Sequence, residues 1–305
     1  MSLPRHQLSE ANMSDEDRFV LCMLAPAVAI LGLLVAYPVG LLIFDSFFKV
    51  ETITPHIREW VGLQNYVDAL TSKRVAESAL RTLQYSVFAL FFEFTFGFCA
   101  ALLFSAMVGQ SRWHRTIFAL PLMVPPIVAG LLWRFLLVGN IGILNYGLVR
   151  LGLISDPNEI AWLSSEDIVI YSVSFADIWL TTSFVALVSY AGLTNIPKDL
   201  LEAARIDGAN ALKRFWHVTL PLMRPVIAVV VIVRGVDAAK TFDLIWIQTQ
   251  GGPRHASEVF SMNIYQRMVR FGDLGEASAS GTLFLLVMMV LAGVAYWKIW
   301  RPAHA

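Results

Sequence analysis

Charge is scarce in this chain of 305 residues. Lys, Arg, Asp and Glu make up 15% of the sequence, with 23 basic and 23 acidic residues, so the net charge at pH 7 is zero. A neutral chain does not attract a polyanion, and we therefore expect no nucleic-acid partner. Hydrophobic residues make up 57% of the sequence and the mean hydropathy is +0.62, which excludes a disordered chain and is not typical of a soluble surface.

Cysteine is rare as well, and familiar catalytic motifs are missing. Cys22 and Cys99 both lie inside apolar runs, so we interpret them as small buried hydrophobic residues and not as a disulfide or a metal site. The sequence has no GxxxxGK[ST], HExxH or GxSxG pattern, and its 6 histidines lie outside the apolar runs. We therefore expect a non-catalytic chain that holds no cofactor and no metal.

Long apolar runs are abundant. A helix needs about 20 apolar residues to cross the roughly 30 Å of hydrocarbon in a bilayer. Such runs occur at about residues 19–44, 82–108, 116–138, 168–193, 226–247 and 277–297. The first run is too long for a cleaved signal peptide. We predict an all-α polytopic membrane protein with six transmembrane helices, a tail over residues 1–18 and a single transmembrane domain over residues 19–305.

Prolines interrupt the third apolar run. Pro121, Pro125 and Pro126 fall within it. Proline removes a backbone donor, and backbone groups freed at membrane depth must face protein or water. We expect a kinked or broken helix here.

The distribution of basic residues predicts the orientation in the membrane. Lys and Arg are denser in the two tails and in loops 109–115 and 194–225 than in the other connections. Cytoplasmic loops retain positive charge. We expect both termini and loop 194–225 to face the cytoplasm.

Charged residues concentrate in the fifth apolar run. Arg234, Asp237, Lys240 and Asp243 fall within ten residues, and each would cost about 2.5 to 3.5 kcal/mol at the centre of a lipid-exposed helix. This helix must therefore turn its charged side toward protein or water. Arg234, Asp237 and Thr241 are three and four residues apart, so they share one face.

Two interpretations of these charges remain open. In the first, Arg234 and Asp237 form a structural ion pair, while Glu93 and Asp177 in other runs hydrogen-bond to neighbouring helices. In the second, the charges line a path for a hydroxyl-rich solute, and aromatic rings stack on its apolar faces. The residues of that predicted path are Arg234, Asp237, Thr241, Asp177, Thr181 and Phe184.

Loop 194–225 carries helix signals of its own. Asn195 can cap a helix, and Pro197 suits its first turn. Gly208 can adopt the left-handed conformation that ends a helix. Asn210 then caps a second helix, which we expect Pro221 to end. The loop is predicted to be a helix, a glycine corner and another helix.

The first of these helices has features of a contact surface. Ala203 and Ala204 beside Glu202 leave room for a partner to approach closely, and Arg205 and Asp207 offer charged contacts. An amphipathic helix resting on lipid headgroups would fit the same residues.

The loop also matches a long motif. It resembles the EAA signature (EAAxxDGAxxxxxFxxIxLPxxxP) of permease subunits in binding-protein-dependent ABC importers, with Val218 in place of the usual Ile. The other matching residues are Glu202-Ala203-Ala204, Asp207-Gly208-Ala209, Phe215, Leu220-Pro221 and Pro225. Patterns elsewhere in the chain resemble the carbohydrate-importer branch of that family, and these are Ala25-Pro26, Tyr37-Pro38, Val61-Gly62-Leu63-Gln64-Asn65-Tyr66, Leu120-Pro121, Pro125-Pro126 and Gly251-Gly252-Pro253. Within that branch the chain is similar to the maltose-type F subunit and its relatives for glycerol phosphate, trehalose and polyols.

The resemblance implies a type I ABC importer permease fold in the bacterial plasma (inner) membrane. It implies as partners a second permease, two ATPase subunits that bind ATP and Mg²⁺, and an extracytoplasmic solute-binding protein. A sugar-like solute would pass between the two permeases. In this family the EAA loop is a coupling helix that enters a groove of the ATPase, a role that would fall to Glu202, Ala203, Ala204, Arg205, Asp207 and Gly208.

The chain lacks the two extra N-terminal spans and the large periplasmic insertion of the maltose-type F subunit. Contacts with a binding protein are therefore expected from segments 45–81 and 248–276. The alternative class is an ion-coupled secondary transporter with Glu93, Asp177 and Asp237 as proton or cation sites, but we detect no inverted repeat. The histidine positions and missing motifs disfavour an intramembrane enzyme.

Overall fold

The computed structural model describes residues 15–107, 111–139 and 141–300, which are mainly helical. The helices are α1 (Asp15–Asp45), α2 (Gln64–Thr71), α3 (Lys73–Ala106), α4 (Ser111–Ala119), α5 (Pro126–Leu137), α6 (Ile143–Arg150), α7 (Val169–Thr194), α8 (Lys198–Ile206), α9 (Ala211–Arg214), α10 (Leu220–Ala239), α11 (Asp243–Thr249), α12 (Phe260–Val269) and α13 (Leu274–Trp300). A 3-10 turn (Leu120–Met123) follows α4, a π-helical turn (Phe215–Thr219) joins α9 to α10, and strand β1 (Phe48–Lys49) pairs antiparallel with β2 (Glu59–Trp60). Residues 1–14 of the predicted N-terminal tail and residues 301–305 lie outside the described residues.

Within the described ranges, five helices are long and apolar enough to cross a membrane, namely Arg18–Asp45, Lys73–Ala106, Val169–Thr194, Ala211–Ala239 and Leu274–Trp297. The third predicted run forms two helical pieces, Trp113–Met123 and Pro126–Leu137, which are bent by 92°. Pro126 begins α5 with Pro125 at its N-cap, where a missing N–H costs no helical hydrogen bond. Counted as one broken span, this pair completes the six that the sequence predicts.

The fifth predicted span, 226–247, is not one helix. α10 ends at Ala239 and α11 begins at Asp243. In the short break between them the amides of Lys240 and Thr241 still bond to carbonyls of α10. The expectation of a continuous helix was wrong because α11 is apolar too, so the hydrophobic pattern runs across the break.

Small residues bring α3 and α10 close to α7. A Cβ atom added at Gly97 of α3 would lie 2.7 Å from Cβ of Val185 on α7. About two turns further along α7, a Cβ added at Gly192 would lie 2.8 Å from a methyl group of Val226 on α10. Glycine at these two positions lets the helix surfaces meet directly, as is common in membrane bundles.

We expect Gly97→Ala to destabilise the bundle by about 1 to 3 kcal/mol, because Val185 or the backbone of α7 must move to admit the methyl group. The measurement is thermal unfolding of the purified chain in detergent. Gly235→Ala on α10 is the matched control, since nothing lies within 4 Å of its added Cβ. Equal unfolding temperatures for the two variants would contradict the close contact.

The two cysteines are free and exposed, on α1 and α3. Neither forms a disulfide, but the expectation that Cys22 and Cys99 are buried was wrong. An apolar run on a membrane helix faces lipid as readily as protein, so hydrophobicity alone does not distinguish the two.

An ion pair anchors the end of the bundle opposite loop 194–225. Nε and Nη2 of Arg74, at the start of α3, donate to the two carboxylate oxygens of Glu258 at 2.9 and 2.7 Å. The Asn263 amide of α12 donates to the same carboxylate at 2.9 Å, and Nδ1 of His255 lies 2.5 Å from it. The Glu258 side chain is fully buried. These contacts fix the segment between α11 and α12 to α3.

Candidate functional site

Residues 194–225 form a compact structure at one end of the bundle. Gly208 ends α8 with a φ of +77°, the left-handed conformation that glycine adopts without strain. The Ala209 amide bonds to the Ala204 carbonyl at 2.9 Å across this corner. The Asn210 side chain accepts a hydrogen bond from the Lys213 amide at 2.8 Å and so caps α9. The predicted glycine corner and Asn210 cap are confirmed.

Two details of the loop differ from the prediction. The helix after Asn210 does not end at Pro221, because α9 continues through the π-helical turn into α10 and Pro221 lies in the first turn of α10. A proline is tolerated there because it removes no interior helical bond. Asn195 does not cap α8, whose N-cap position is occupied by Pro197 without a side-chain hydrogen bond. One helix therefore runs without a break from Ala211 to Ala239 and includes Arg234.

An apolar cluster holds the loop against the bundle. Its buried members are Phe98 on α3, Met223 on α10 and Ile196, and Leu201 of α8 and Phe215 pack against them. The ring of Phe215 meets that of Phe98 edge-on at 6.1 Å between centroids. α8 is thus fixed to both α3 and α10.

The remaining surface of α8 is open. Ile206 is 88% exposed at its C-terminus. Of the six residues expected to form the coupling surface, Ala204 is half-buried and the others are exposed, namely Glu202, Ala203, Arg205, Asp207 and Gly208.

Arg234 lies in the interior of the bundle and joins three helices. Its Nε and Nη2 donate to the two carboxylate oxygens of Glu93 on α3 at 2.9 and 3.0 Å. Nη2 also donates to Asp177 on α7 at 3.2 Å. The three residues are 6%, 0% and 3% exposed in the order Arg234, Glu93, Asp177. The planar guanidinium suits this arrangement, because its donors match carboxylates in two directions. We call this set the arginine clamp.

Asp237 and Thr241 lie at the edge of the clamp. An oxygen of Asp237 is 3.7 Å from Nη1 of Arg234, and its other oxygen is 2.8 Å from Nζ of Lys240. The Asp237 side chain is 40% exposed. Thr241 is half-buried and donates to the Asp237 carbonyl at 3.1 Å. The predicted contact between Arg234 and Asp237 is present, but the closer partners of Arg234 are on other helices.

The candidate residues on α7 differ in how far they are buried. Tyr85 of α3 donates to Asp177 at 3.1 Å, so both oxygens of this carboxylate have partners. Thr181 is buried and donates to the Asp177 carbonyl at 2.7 Å. Phe184 is half-buried. Asp177 and Thr181 are therefore satisfied within the bundle, whereas Phe184 retains exposed surface.

An aromatic cavity of about 940 Å³ opens between α3, the α4 to α5 region and α7. Its few polar side chains include Thr182 and Ser183. The cavity could not be predicted from the sequence, because aromatic residues form the same pattern on a membrane helix whether they face lipid, protein or a cavity. The four-residue spacing of three phenylalanines on α3 is the signal that could have indicated it. Its aromatic walls include Phe88, Phe92, Phe96, Trp133, Phe175 and Trp179.

A protein-family model described as "Binding-protein-dependent transport system inner membrane component" matches residues 93–297. The match includes the clamp, the cavity wall on α7 and the whole of loop 194–225. The chain belongs to this family. Family membership agrees with the resemblance carried by the loop, and it does not favour the ion-coupled alternative.

Several known permeases align with nearly the whole of this permease. The sulfoquinovosyl glycerol transport system permease protein SmoG of Agrobacterium fabrum is 33% identical over 92% of this chain and 89% of its own length. The trehalose/maltose transport system permease protein MalF of Thermococcus litoralis is 31% identical over 92% of both chains. The sn-glycerol-3-phosphate transport system permease protein UgpA of Shigella flexneri is 30% identical over 90% of this chain and 91% of its own.

Solved structures share the fold of the permease. A bacterial ABC transporter involved in the import of the acidic polysaccharide alginate has a chain that matches with a TM-score of 0.78 at 23% identity, over 94% of this permease and 96% of that chain. A second structure, of a bacterial alginate ABC transporter with a pentasaccharide-bound periplasmic protein, matches with a TM-score of 0.80 at 22% identity, over 95% and 96%. The predicted all-α, six-span ABC importer permease fold is confirmed.

Proposed function

We propose that this permease forms, with a second permease, the path of a sugar or related polyhydroxy solute, and that two ATPase subunits drive it through loop 194–225. The observation that carries the proposal is the exposed surface from Glu202 to Gly208, which the corner at Gly208 connects to the long helix Ala211–Ala239. ATP and Mg²⁺ bind to the ATPase subunits, and an extracytoplasmic protein delivers the solute. Three relatives named for sulfoquinovosyl glycerol, trehalose/maltose and sn-glycerol-3-phosphate support this solute class.

The orientation follows from the same assignment. Loop 194–225 faces the cytoplasm, where ATP is available, and both termini lie on that side. Residues 19–305 act as one permease domain after a cytoplasmic tail of residues 1–18. The segments 45–81 and 248–276 then face outward, toward the binding protein.

The solute path is proposed to follow Asp237, Thr241 and Phe184, which retain exposed surface. A carboxylate and a hydroxyl offer hydrogen bonds to a polyhydroxy solute, and the ring of Phe184 offers a surface for its apolar faces. Arg234, Asp177 and Thr181 are buried and bonded within the bundle, so they support the wall of the path. ATP-driven closure of the ATPase pair must favour one arrangement of the bundle by a few kcal/mol, since otherwise hydrolysis would not be coupled to transport.

ATP-driven uptake by the reconstituted importer tests the function. Vesicles containing both permeases and the ATPase subunits, with the binding protein on the outside, are expected to accumulate a labelled disaccharide, polyol or glycerol phosphate when ATP is supplied and ion gradients are collapsed. Uptake that requires an ion gradient and ignores ATP would contradict the proposal and favour the ion-coupled class.

Asp237→Asn and Thr241→Val test the path. Each is expected to raise the KM for solute uptake about 5- to 150-fold, the loss that follows when one hydrogen bond to the solute of about 1 to 3 kcal/mol is removed, without loss of the ATPase subunits on purification. Asp243→Asn is the matched control, because Asp243 is an exposed carboxylate in the same region that begins α11. If both path variants keep the KM of the parent, Asp237 and Thr241 have a purely structural role.

A further inference from the structure

α3 and α10 are joined at two separate levels. Near loop 194–225 the contact is apolar, where Phe98 meets Met223 and Phe215. Deeper in the bundle the contact is ionic, between Glu93 and Arg234. Arg234 lies about 20 Å along α10 from its first residue, by the helical rise of 1.5 Å per residue. Two junctions at different heights prevent one helix from pivoting about the other.

α7 is held to the same pair of helices. Asp177 binds Arg234 at 3.2 Å, and the glycine contacts at Gly97 and Gly192 both lie between this level and loop 194–225. One guanidinium therefore contacts all three helices, in an interior where no other cation is within reach of Glu93 among the described residues. If α10 slid along α3, both carboxylates would lose their partner while still buried, which the low-dielectric interior strongly disfavours.

We propose that Arg234 is the positioning residue of the transport cycle. By binding Glu93 and Asp177 it locks α10 to α3 and α7, so that a movement of loop 194–225 displaces the whole wall of the path as one body. This inference rests on the proposed function, because it assigns the route by which movement of the coupling surface reaches the solute. Neither Arg234 nor its partners need touch the solute in this role.

A clamp that served only folding would affect the amount of assembled importer and nothing else. A clamp that transmits movement sets the number of solute molecules taken up per ATP hydrolysed. That ratio is independent of the amount of protein, and it distinguishes the two roles.

The first experiment measures this ratio in vesicles that contain the complete importer. The variant is the combined Glu93→Gln, Asp177→Asn and Arg234→Met, which removes the three charges together and leaves none unpaired. We expect ATP hydrolysis within about twofold of the parent and a fall of roughly tenfold or more in solute taken up per ATP, a size typical of coupling between sites. Arg150→Met is the control, since Arg150 is exposed at the end of α6 and lies outside the clamp, the coupling loop and the segments proposed to face the binding protein.

If the combined variant takes up as many solute molecules per ATP hydrolysed as the parent, the proposal is overturned. An inactive parent complex would instead contradict the proposed function, so the two failures are distinguishable. If the combined variant does not assemble, a second measurement tests the proposal in a permease that keeps Glu93, Asp177 and Arg234.

The second measurement follows the distance between spin labels at Leu83 on α3 and Val233 on α10, which are both exposed. Cys22 and Cys99 are first replaced by Ser so that only the introduced thiols react. Between nucleotide-free and ATP-bound complexes, we expect the distance to change by less than about 2 Å while loop 194–225 moves. A change of about 5 Å, one helical turn, would show that the helices slide and would overturn the proposal.

Discussion

A permease that carries Glu202→Lys is expected to insert and assemble but to lose more than about 90% of its solute uptake. Glu202 is exposed on α8, at the start of the surface that we propose contacts the ATPase. The substitution reverses the charge and lengthens the side chain at that surface, and a mismatched charge at an interface costs several kcal/mol. The measurement is ATP-driven uptake in vesicles, with co-purification of the ATPase subunits recorded in parallel.

Glu166→Lys is the matched control for this prediction. It makes the same charge reversal on a half-exposed glutamate just before α7, at the opposite end of the bundle. Its uptake is expected to remain near the parent value. Full uptake by the Glu202→Lys importer would remove the coupling role from this surface.

Arg74→Met is expected to give the largest loss of stability among single substitutions at the end opposite loop 194–225. The substitution removes the guanidinium from Glu258, whose side chain is fully buried and keeps only Asn263 and His255 as partners, and breaking a buried ion pair costs about 3 to 5 kcal/mol. Unfolding of the purified permease in detergent, by heat or denaturant, measures the loss. Lys73→Met is the control, because its pair with Glu77 is exposed and such pairs contribute about 0 to 1 kcal/mol. Similar unfolding midpoints for the two variants would contradict the prediction.

The loss in Arg74→Met should also depend on pH. Burial raises the pKa of Glu258, but the hydrogen bonds from Arg74 and Asn263 outweigh it, so the pKa in the folded permease lies below the ordinary value of 4.5. A carboxylate with a lowered pKa stabilises the folded state fully above pH 4.5, and this contribution disappears as the pH falls through the folded pKa. We expect the stability gap between parent and Arg74→Met to narrow below pH 4.5. A gap that stays constant in acid would show that Glu258 does not titrate in this way.

Features that depend on neighbours in the sequence were predictable. Hydrophobic length predicted six spans, and Pro125 and Pro126 predicted the broken third span because a missing N–H acts on its own helix. The corner at Gly208 and the cap at Asn210 were predictable for the same reason, since each is a contact between residues a few positions apart. The break after Ala239 was not, because the apolar pattern continues through it.

The candidate site likewise has features that were predictable from neighbouring residues and features that were not. The coupling surface is one contiguous motif, so its residues could be named before the structure was known. The partners of Arg234 could not, since Glu93 is separated from it by 141 positions and the choice between Asp237 and Glu93 depends on how α10 is rotated against α3. The aromatic cavity also required the packed helices, because its walls come from separate parts of the chain.

The sequence by itself determined that this protein spans a membrane, that its helices follow in a given order and that loop 194–225 carries the family motif. These properties are local, because hydropathy, proline and helix caps act within a turn or two of the chain. The tertiary structure decided which buried charges compensate one another, which aromatic faces enclose a cavity and which helices lie in direct contact. Those properties depend on the rotation and close approach of helices that are distant in sequence, and packing at Gly97 and Gly192 together with the bonds of Arg234 sets them.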